Sequence, residues 1–459
     1  MNPRTFREYD IRGVADRDLD DATVRALGLA LGAQVAGPVV VGRDPRITSP
    51  RLFGALTDGL RVHVEVIDIG VVPTPVVYFA AAHLEPAAAV MITGSHNPAE
   101  DNGFKIMVGS ETLHGPAIAA LRDQVAALLA QQVARPAPPP TKAMHSRDVI
   151  GAYIDHACAM LALGARRPKV VVDAGNGAGG PTAIALYRRL GFDVVPLYCD
   201  LDGTFPNHHP DPTQPENVAD LIATVAREGA ELGIALDGDA DRIGAVDATG
   251  RILWGDQLMI LFGKAVLREV PHAKFVGEVK CSQAMYDELA AAGGTVEMWK
   301  VGHSLIKARM KEIGAALAGE MSGHMFFAHR WLGFDDAVYA GARLLELLSR
   351  GRETLAELAD QLPVMINTPE LRIGCPDDRK FALVAAVTAR LRADPAVLSV
   401  VDIDGVRAKF ADGWGLVRAS NTQPALVMRC EASTAVRLDE IKGALEAHIA
   451  AAQNPHGVT

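Results

Sequence analysis

The sequence predicts an α/β protein of four domains, three built on one pattern and a fourth, α+β, at the C-terminus. Three observations carry this reading. An apolar run, a helical stretch and a second apolar run recur three times along the chain. The 459 residues exceed the roughly 250–300 that one hydrophobic core serves. After Gln361-Leu362-Pro363 the pattern changes to strands parted by turns, with a closing helix.

In chain order, Tyr9-Asp10-Ile11-Arg12-Gly13 precedes a helix near residues 22–35. Val39-Val40-Val41 reads as a buried strand, residues 42–46 as a turn, 49–60 as a helix and 64–68 as the next strand, a βαβ unit. The second unit has a strand at 169–173, a glycine-rich turn, a helix to Leu190 and a strand at 194–198. The third runs from a strand at 275–279, through a helix ending near Ala292, to a strand at 296–299. Arg135-Pro136-Ala137-Pro138-Pro139-Pro140 has the composition of a stiff linker. The expected domains are 1–143, 144–251, 252–363 and 364–459.

Composition removes several classes. A formal charge of −10 disfavours nucleic acid and anionic membrane as partners. It also means that an anionic substrate would need a locally basic cleft. Residues 1–8 lack the apolar core of a signal peptide, and no apolar run approaches the roughly 18 residues of a membrane span. Five scattered cysteines suggest reduced thiols, so a cytoplasmic protein is expected, without a disulfide framework or zinc site.

Four loops hold the candidate chemistry. In the first, the apolar residues 87–92 lead into Thr93-Gly94-Ser95-His96-Asn97-Pro98, a strand ending in a polar turn. The Ser95 hydroxyl there could carry or receive a phosphoryl group, although serines in turns are most often turn formers. In the second, Asp237-Gly238-Asp239-Ala240-Asp241-Arg242 follows an apolar strand at 232–236. Carboxylates at every second position share a face if the backbone stays extended, and their repulsion calls for a cation, best Mg²⁺. An EF-hand fails, because Arg242 and Ala248 stand where glycine and glutamate are required. The third loop, Gly319-Glu320-Met321-Ser322-Gly323-His324, sets three polar side chains at alternate positions between apolar flanks, suited to sugar hydroxyls. The fourth, Arg418-Ala419-Ser420-Asn421-Thr422-Gln423-Pro424, offers one cation and small donors, as a phosphate cradle needs. A competing signal is Gly175, Gly177 and Gly180 between a strand and a helix, close to a dinucleotide fingerprint. An NAD-dependent oxidoreductase built on it would leave the other four loops unused.

The four loops, in this order along the whole chain, resemble those of the α-D-phosphohexomutase superfamily, most closely its phosphomannomutase/phosphoglucomutase branch. The resemblance implies three α/β domains with mixed sheets and a C-terminal α+β domain around a central cleft. It implies an isomerase that moves phosphate between the 1- and 6-positions of mannose and glucose through a phosphoserine, here Ser95, and a 1,6-bisphosphate. Ser95, Asp237, Asp239 and Asp241 would hold Mg²⁺, glucose 1,6-bisphosphate would act as activator, and Glu320 and Ser322 would read the sugar 3- and 4-hydroxyls. Lys105 would be catalytic, with Arg12, His303 and His324 as candidates for proton handling. Tyr9, Arg242, Lys280, Gly302, His303 and His324 would bind substrate, and Arg418, Ser420, Asn421 and Thr422 the phosphate that is not reacting. Lys300 would add to the positive field. Two positions depart from the family pattern, Pro45 and Ala240, each where a glycine is usual. Hexose phosphates are then the expected partners and a monomer the expected state. The alternatives are a phosphoglucosamine mutase, a non-catalytic sugar-phosphate sensor and the dehydrogenase above. On sequence alone, Lys105→Ala is expected to cost rate and leave stability unchanged.

Overall fold

The computed structural model describes residues 1–132, 138–420 and 423–453. Its first three domains repeat one four-strand arrangement. The strands are Val66–Val71, Val39–Arg43, Ala88–Ile92 and Asp101–Val108 in the first. Their counterparts are Val194–Leu197, Val170–Asp173, Leu232–Leu236 and Ile243–Asp247 in the second. The third has Thr295–Trp299, Lys274–Glu278, Leu317–Gly319 and Met325–Phe327. In each, the first three strands run parallel and the fourth returns antiparallel beside the third.

The sequence dictates this locally. Runs such as Val170-Val171-Val172 are buried throughout, as strands covered on both faces by helices must be. Pro50 and Pro181 stand in the first turn of helices Ser49–Leu60 and Gly180–Arg189, where a missing N–H costs nothing. The fourth strand of each repeat is reached by a short hairpin loop. Those three loops are residues 93–100, 237–242 and 320–324, so three of the candidate motifs occupy one topological position.

The fourth domain is an antiparallel sheet backed by helices Lys380–Ala393 and Ala435–Gln453. Its own hairpin, between Gly413–Ala419 and Ala425–Ala432, carries the fourth motif. One apolar core runs without a break through the first three domains, from Val40 to Leu362. The fourth domain has a separate core and meets the third through a small patch formed by Val279, Trp414 and Leu416.

Two domain borders fall later than the sequence placed them. Strand Met144–Ser146 pairs with Val66–Val71 and closes the first sheet, whereas the expected border lay at 143/144. Strand Ile252–Leu253 pairs with Ile243–Asp247 and closes the second, whereas the border was expected at 251/252. Both are short edge strands whose letters carry little periodicity. Residues 135–137 of the proline-rich linker lie outside the described residues. The five cysteines form no disulfide, and no helix among the described residues is long and apolar enough to cross a membrane.

Candidate active site

All four hairpin loops reach one cleft of about 970 Å³. His96 and Asn97 line it from the first domain, Asp241 and Arg242 from the second, Glu320 and Ser322 from the third, and Arg418 and Ser420 from the fourth. Its described lining holds eight Lys/Arg side chains against six Asp/Glu. The cleft is thus locally basic in a chain whose net charge is −10.

Ser95 lies just beneath the cleft floor, 1% exposed. Its Oγ donates to Asp237 Oδ2 at 3.0 Å and lies 3.1 Å from His96 Nδ1. Its backbone is left-handed, with φ 51°, which costs a non-glycine residue about 1–2 kcal/mol. The Ser95 N–H donates to Thr93 Oγ1 at 2.8 Å, and Thr93 in turn donates to Asp44. Burial and the neighbouring Arg242 hold the His96 imidazole well below its ordinary pKa.

The aspartate loop differs from the extended run that the spacing suggests. Residues 237–240 form a tight turn, with Ala240 N–H donating to the Asp237 carbonyl and Ala240 left-handed at φ 57°. Asp237 Oδ1 closes the turn by accepting from the N–H groups of Asp241 and Arg242. The three carboxylates converge because the chain folds back, and each brings an oxygen within 4.8 Å of the others. All are buried, and Asp239 Oδ1 has no hydrogen-bond partner among the described residues. An all-oxygen set with an unspent acceptor fits Mg²⁺.

Lys105, from strand Asp101–Val108, places Nζ 2.6 Å from Asp239 Oδ2 and against Asp241 Oδ2. Burial would lower its pKa, but the two carboxylates outweigh burial and raise it. Burial and mutual repulsion push Asp237 up, while Lys105 and His324, overcoming burial, hold Asp241 well down. Thr74, at the start of helix Thr74–Leu84, fixes the loop from below: its N–H donates to the Asp239 carbonyl and its hydroxyl to Asp239 Oδ2.

The third loop is also a turn, with Gly323 at φ 94°. His324 bridges two motifs, Nδ1 lying 2.7 Å from Glu320 Oε2 and Nε2 lying 3.2 Å from Asp241 Oδ1. Burial opposes its charge, but Asp241 and Glu320 prevail and raise its pKa to about 9. Glu320, whose burial His324 more than offsets, falls to about 2 and also accepts from the Gly302 N–H at 2.8 Å. His303 stacks on His324 at 5.9 Å. Burial and Lys307 hold its pKa well below the ordinary value, and neither ring nitrogen has a hydrogen-bond partner among the described residues. Asp241, His324 and Asp335 form a second cluster of donors. Lys307 donates to Asp335 at 2.9 Å and His324 is cationic, so the charge there is already met.

Across the cleft, Arg418 pairs with Asp404 at 3.0 Å. Lys280, from the third domain, reaches Glu370 of the fourth at 3.0 Å. Tyr9 donates to the Val301 carbonyl at 2.8 Å, and its ring stands where a Cβ on Gly302 would be, 2.7 Å away. Gly302, at φ 130°, therefore tolerates no side chain. Arg12 pairs with Asp10 and donates to Asn97.

Family models cover nearly the whole chain. Those described as phosphoglucomutase/phosphomannomutase α/β/α domains I, II and III match residues 3–131, 151–250 and 254–365, and the C-terminal domain matches 370–448. The chain belongs to the phosphoglucomutase/phosphomannomutase family. It is 46% identical over 443 residues to a phosphomannomutase/phosphoglucomutase of Pseudomonas aeruginosa, covering 95% of this chain and 93% of that protein. It is 42% identical to a phosphoglucomutase of Neisseria gonorrhoeae, covering 98% and 97%. A crystal structure of a family protein from Burkholderia thailandensis superposes with a TM-score of 0.90 at 41% identity, covering 100% and 99%.

Within this member of the phosphoglucomutase/phosphomannomutase family, one sequence expectation changes and one disfavoured alternative loses its support. Lys300 is exposed and does not line the cleft, although Val301 and Gly302, which follow it, do. The glycine turn at 175–180 has no room for a dinucleotide. A Cβ on Gly177 would lie 2.6 Å from the Gly238 carbonyl, and Asn176 is tied to Asp200. Asn421 and Thr422 lie outside the described residues.

Several residues at the site escape the motifs. Arg429, from strand Ala425–Ala432 of the fourth domain, lines the cleft, donates to the Lys280 carbonyl at 2.7 Å and touches Met321 Sδ. Lys380 donates to the Ser420 carbonyl at 2.6 Å and so ties down the fourth loop. Arg46, Thr74 and Asp335 support the loops from behind. Thr74 and Arg429 show in the sequence only as single polar letters amid apolar ones, and Arg46 and Lys380 lie in charged stretches.

Proposed function

We propose that the protein interconverts the 1- and 6-phosphates of mannose and glucose, through phospho-Ser95 and a hexose 1,6-bisphosphate. The observation that supports this reading best is the Ser95 Oγ–Asp237 Oδ2 pair at 3.0 Å under a cleft whose far wall carries Arg418 and Ser420. In the first transfer, a sugar hydroxyl oxygen bonds to phosphorus, the bond from phosphorus to Ser95 Oγ breaks, and the hydroxyl proton passes to a base. The bisphosphate turns over in the cleft. Ser95 Oγ then takes the other phosphoryl group, and the sugar oxygen it leaves receives a proton.

With Ser95 unmodified, His324 bears the proton that the second transfer requires, held between Asp241 and Glu320. Glu320 and Ser322 present oxygens to the sugar hydroxyls, and Arg418 and Ser420 grip the idle phosphate. Asp237, Asp239 and Asp241, with a Ser95 oxygen, would hold Mg²⁺, which offsets charge on the transferring group. Lys105 contributes in the same place, where such catalysis is mostly positioning and electrostatics.

A coupled assay with Mg²⁺ and a trace of glucose 1,6-bisphosphate tests the reading. Turnover of both mannose 1-phosphate and glucose 1-phosphate, lost in Ser95→Ala, is the expected result. Preference for glucosamine 1-phosphate, or turnover of none, would overturn it.

A further inference from the structure

Arg46 is the most buried Lys or Arg side chain among the described residues, at 0% exposure, and it lies in a turn that no motif assigned to the chemistry. An arginine has five N–H donors, and all five are spent here. Nε donates to Asp44 Oδ2 at 3.0 Å. Nη2 donates to the carbonyls of Ser95 and Asn97, each at 2.7 Å. Nη1 donates to the carbonyls of Asp101, at 2.9 Å, and Pro98. Three of the five donors thus converge on carbonyls of the loop that bears the nucleophile, and a fourth on Asp101, the first residue of the strand that follows it.

These bonds answer a specific need. Ser95 sits in the left-handed region at φ 51°, and Asn97 precedes a proline. Residues held in such conformations persist only when their surroundings over-determine them. A hairpin that turns its N–H groups toward a phosphoryl group turns carbonyls the other way, and buried carbonyls without donors are costly. The second domain seals the arrangement. Phe205 lays its ring 4.9 Å from the guanidinium carbon, and a Cβ on Gly203 would lie 2.4 Å from the Arg46 Cα.

We propose that Arg46 is a positioning residue for phosphoryl transfer: its guanidinium, locked by Asp44 and capped by Phe205, fixes the backbone at Ser95 so that Oγ stays aimed at the aspartate loop. It touches neither substrate nor metal, so its effect falls on the chemical step and not on sugar-phosphate binding. The proposal rests on Ser95 being the phosphoryl carrier. Misplacing a reacting atom by about 1 Å commonly costs on the order of 10²-fold in rate.

The test compares wild type, Arg46→Gln and Arg46→Lys in the coupled assay, with hydrogen exchange followed over peptides covering residues 91–105. The expected result is a kcat loss of roughly 10²-fold in Arg46→Gln with KM for glucose 1-phosphate within about threefold. Arg46→Lys, which keeps the charge and three donors, should recover part of the loss. Faster exchange should be confined to the nucleophile loop. A folded Arg46→Gln enzyme with wild-type kcat would overturn the proposal. So would a loss that moves KM and kcat together with exchange raised across the first domain, the signature of general destabilisation. Should Arg46→Gln not fold, Arg46→Lys carries the test alone: wild-type kcat in it overturns the proposal, and a kcat-only loss supports it. Failure of the function reading itself looks different, because wild type would then turn over neither hexose phosphate.

Discussion

His324 shows how much chemistry a single side chain acquires from its neighbours. Its folded pKa, raised to about 9 by Asp241 and Glu320 against burial, stands above the ordinary 6.5. A group raised on folding contributes stability that is fully present below its unfolded pKa and is lost as pH rises through the folded one. Thermal unfolding of the metal-free protein should therefore show the melting temperature falling between about pH 6.5 and pH 9. The slope over that window should flatten in His324→Gln; an equal slope in both proteins would refute the assignment. Lys105 revises a sequence-based expectation. Because its ammonium neutralises two buried carboxylates, Lys105→Ala should cost the metal-free protein stability as well as rate. Breaking one partner of a buried ion pair costs about 3–5 kcal/mol, and added Mg²⁺ should return much of it. Chemical denaturation with and without Mg²⁺ measures this, and an unchanged midpoint in both would refute it. Ser95 and the aspartate trio were legible because their chemistry is written in consecutive letters. Arg46 was not: the carbonyls it serves lie 49 to 55 positions away, and only folding brings them together.

At the scale of elements, the three repeats place their functional groups on the same hairpin, between the third strand and its antiparallel return. The strands themselves were readable from apolar runs, as at Leu232–Leu236, whose limits match the apolar stretch. The loops were readable by composition and misread in shape, since alternation of polar letters suggested extended backbone where the chain makes a turn. Ala240 marks the difference, occupying a left-handed position where the family usually has glycine. Replacing it by glycine relieves about 1–2 kcal/mol of strain and removes a buried methyl worth about 0.8 kcal/mol, with a further entropic cost of up to about 1 kcal/mol. Ala240→Gly should thus leave stability within about 1 kcal/mol of wild type. Gly179 faces it, and a Cβ there would lie 2.5 Å from the Ala240 Cβ. Gly179→Ala should cost about 1–3 kcal/mol by overpacking, and Ala240→Gly should restore part of that loss in the double mutant. Strictly additive effects in denaturant unfolding would contradict the contact.

For the whole molecule, the distribution of core decides what can move. One apolar core spans the first three domains, whereas the fourth is held by a small apolar patch and by polar contacts: Arg407 donates to the Val279 and Cys281 carbonyls, Arg429 to the Lys280 carbonyl, the Gln283 and Val301 N–H groups donate to Glu431 and Asp404, and Lys280 pairs with Glu370. The fourth domain is therefore the part expected to close over a bound sugar phosphate and keep water from phospho-Ser95. Solution scattering should give a smaller radius of gyration with glucose 1-phosphate bound, and identical profiles would count against closure. Four-domain organisation was visible in the sequence, but two borders were not, because they depend on edge strands of two or three residues.

What joins these scales is the proposal that Ser95 carries phosphate between two positions of one sugar. Its most direct test is to incubate the protein with glucose 1,6-bisphosphate, weigh the proteolytic peptide containing Ser95, and chase with mannose 1-phosphate or glucose 1-phosphate. One phosphoryl group should sit on Ser95 and leave during the chase. An unmodified peptide from an enzyme that still turns over, or a phosphoryl group on another residue, would contradict the account.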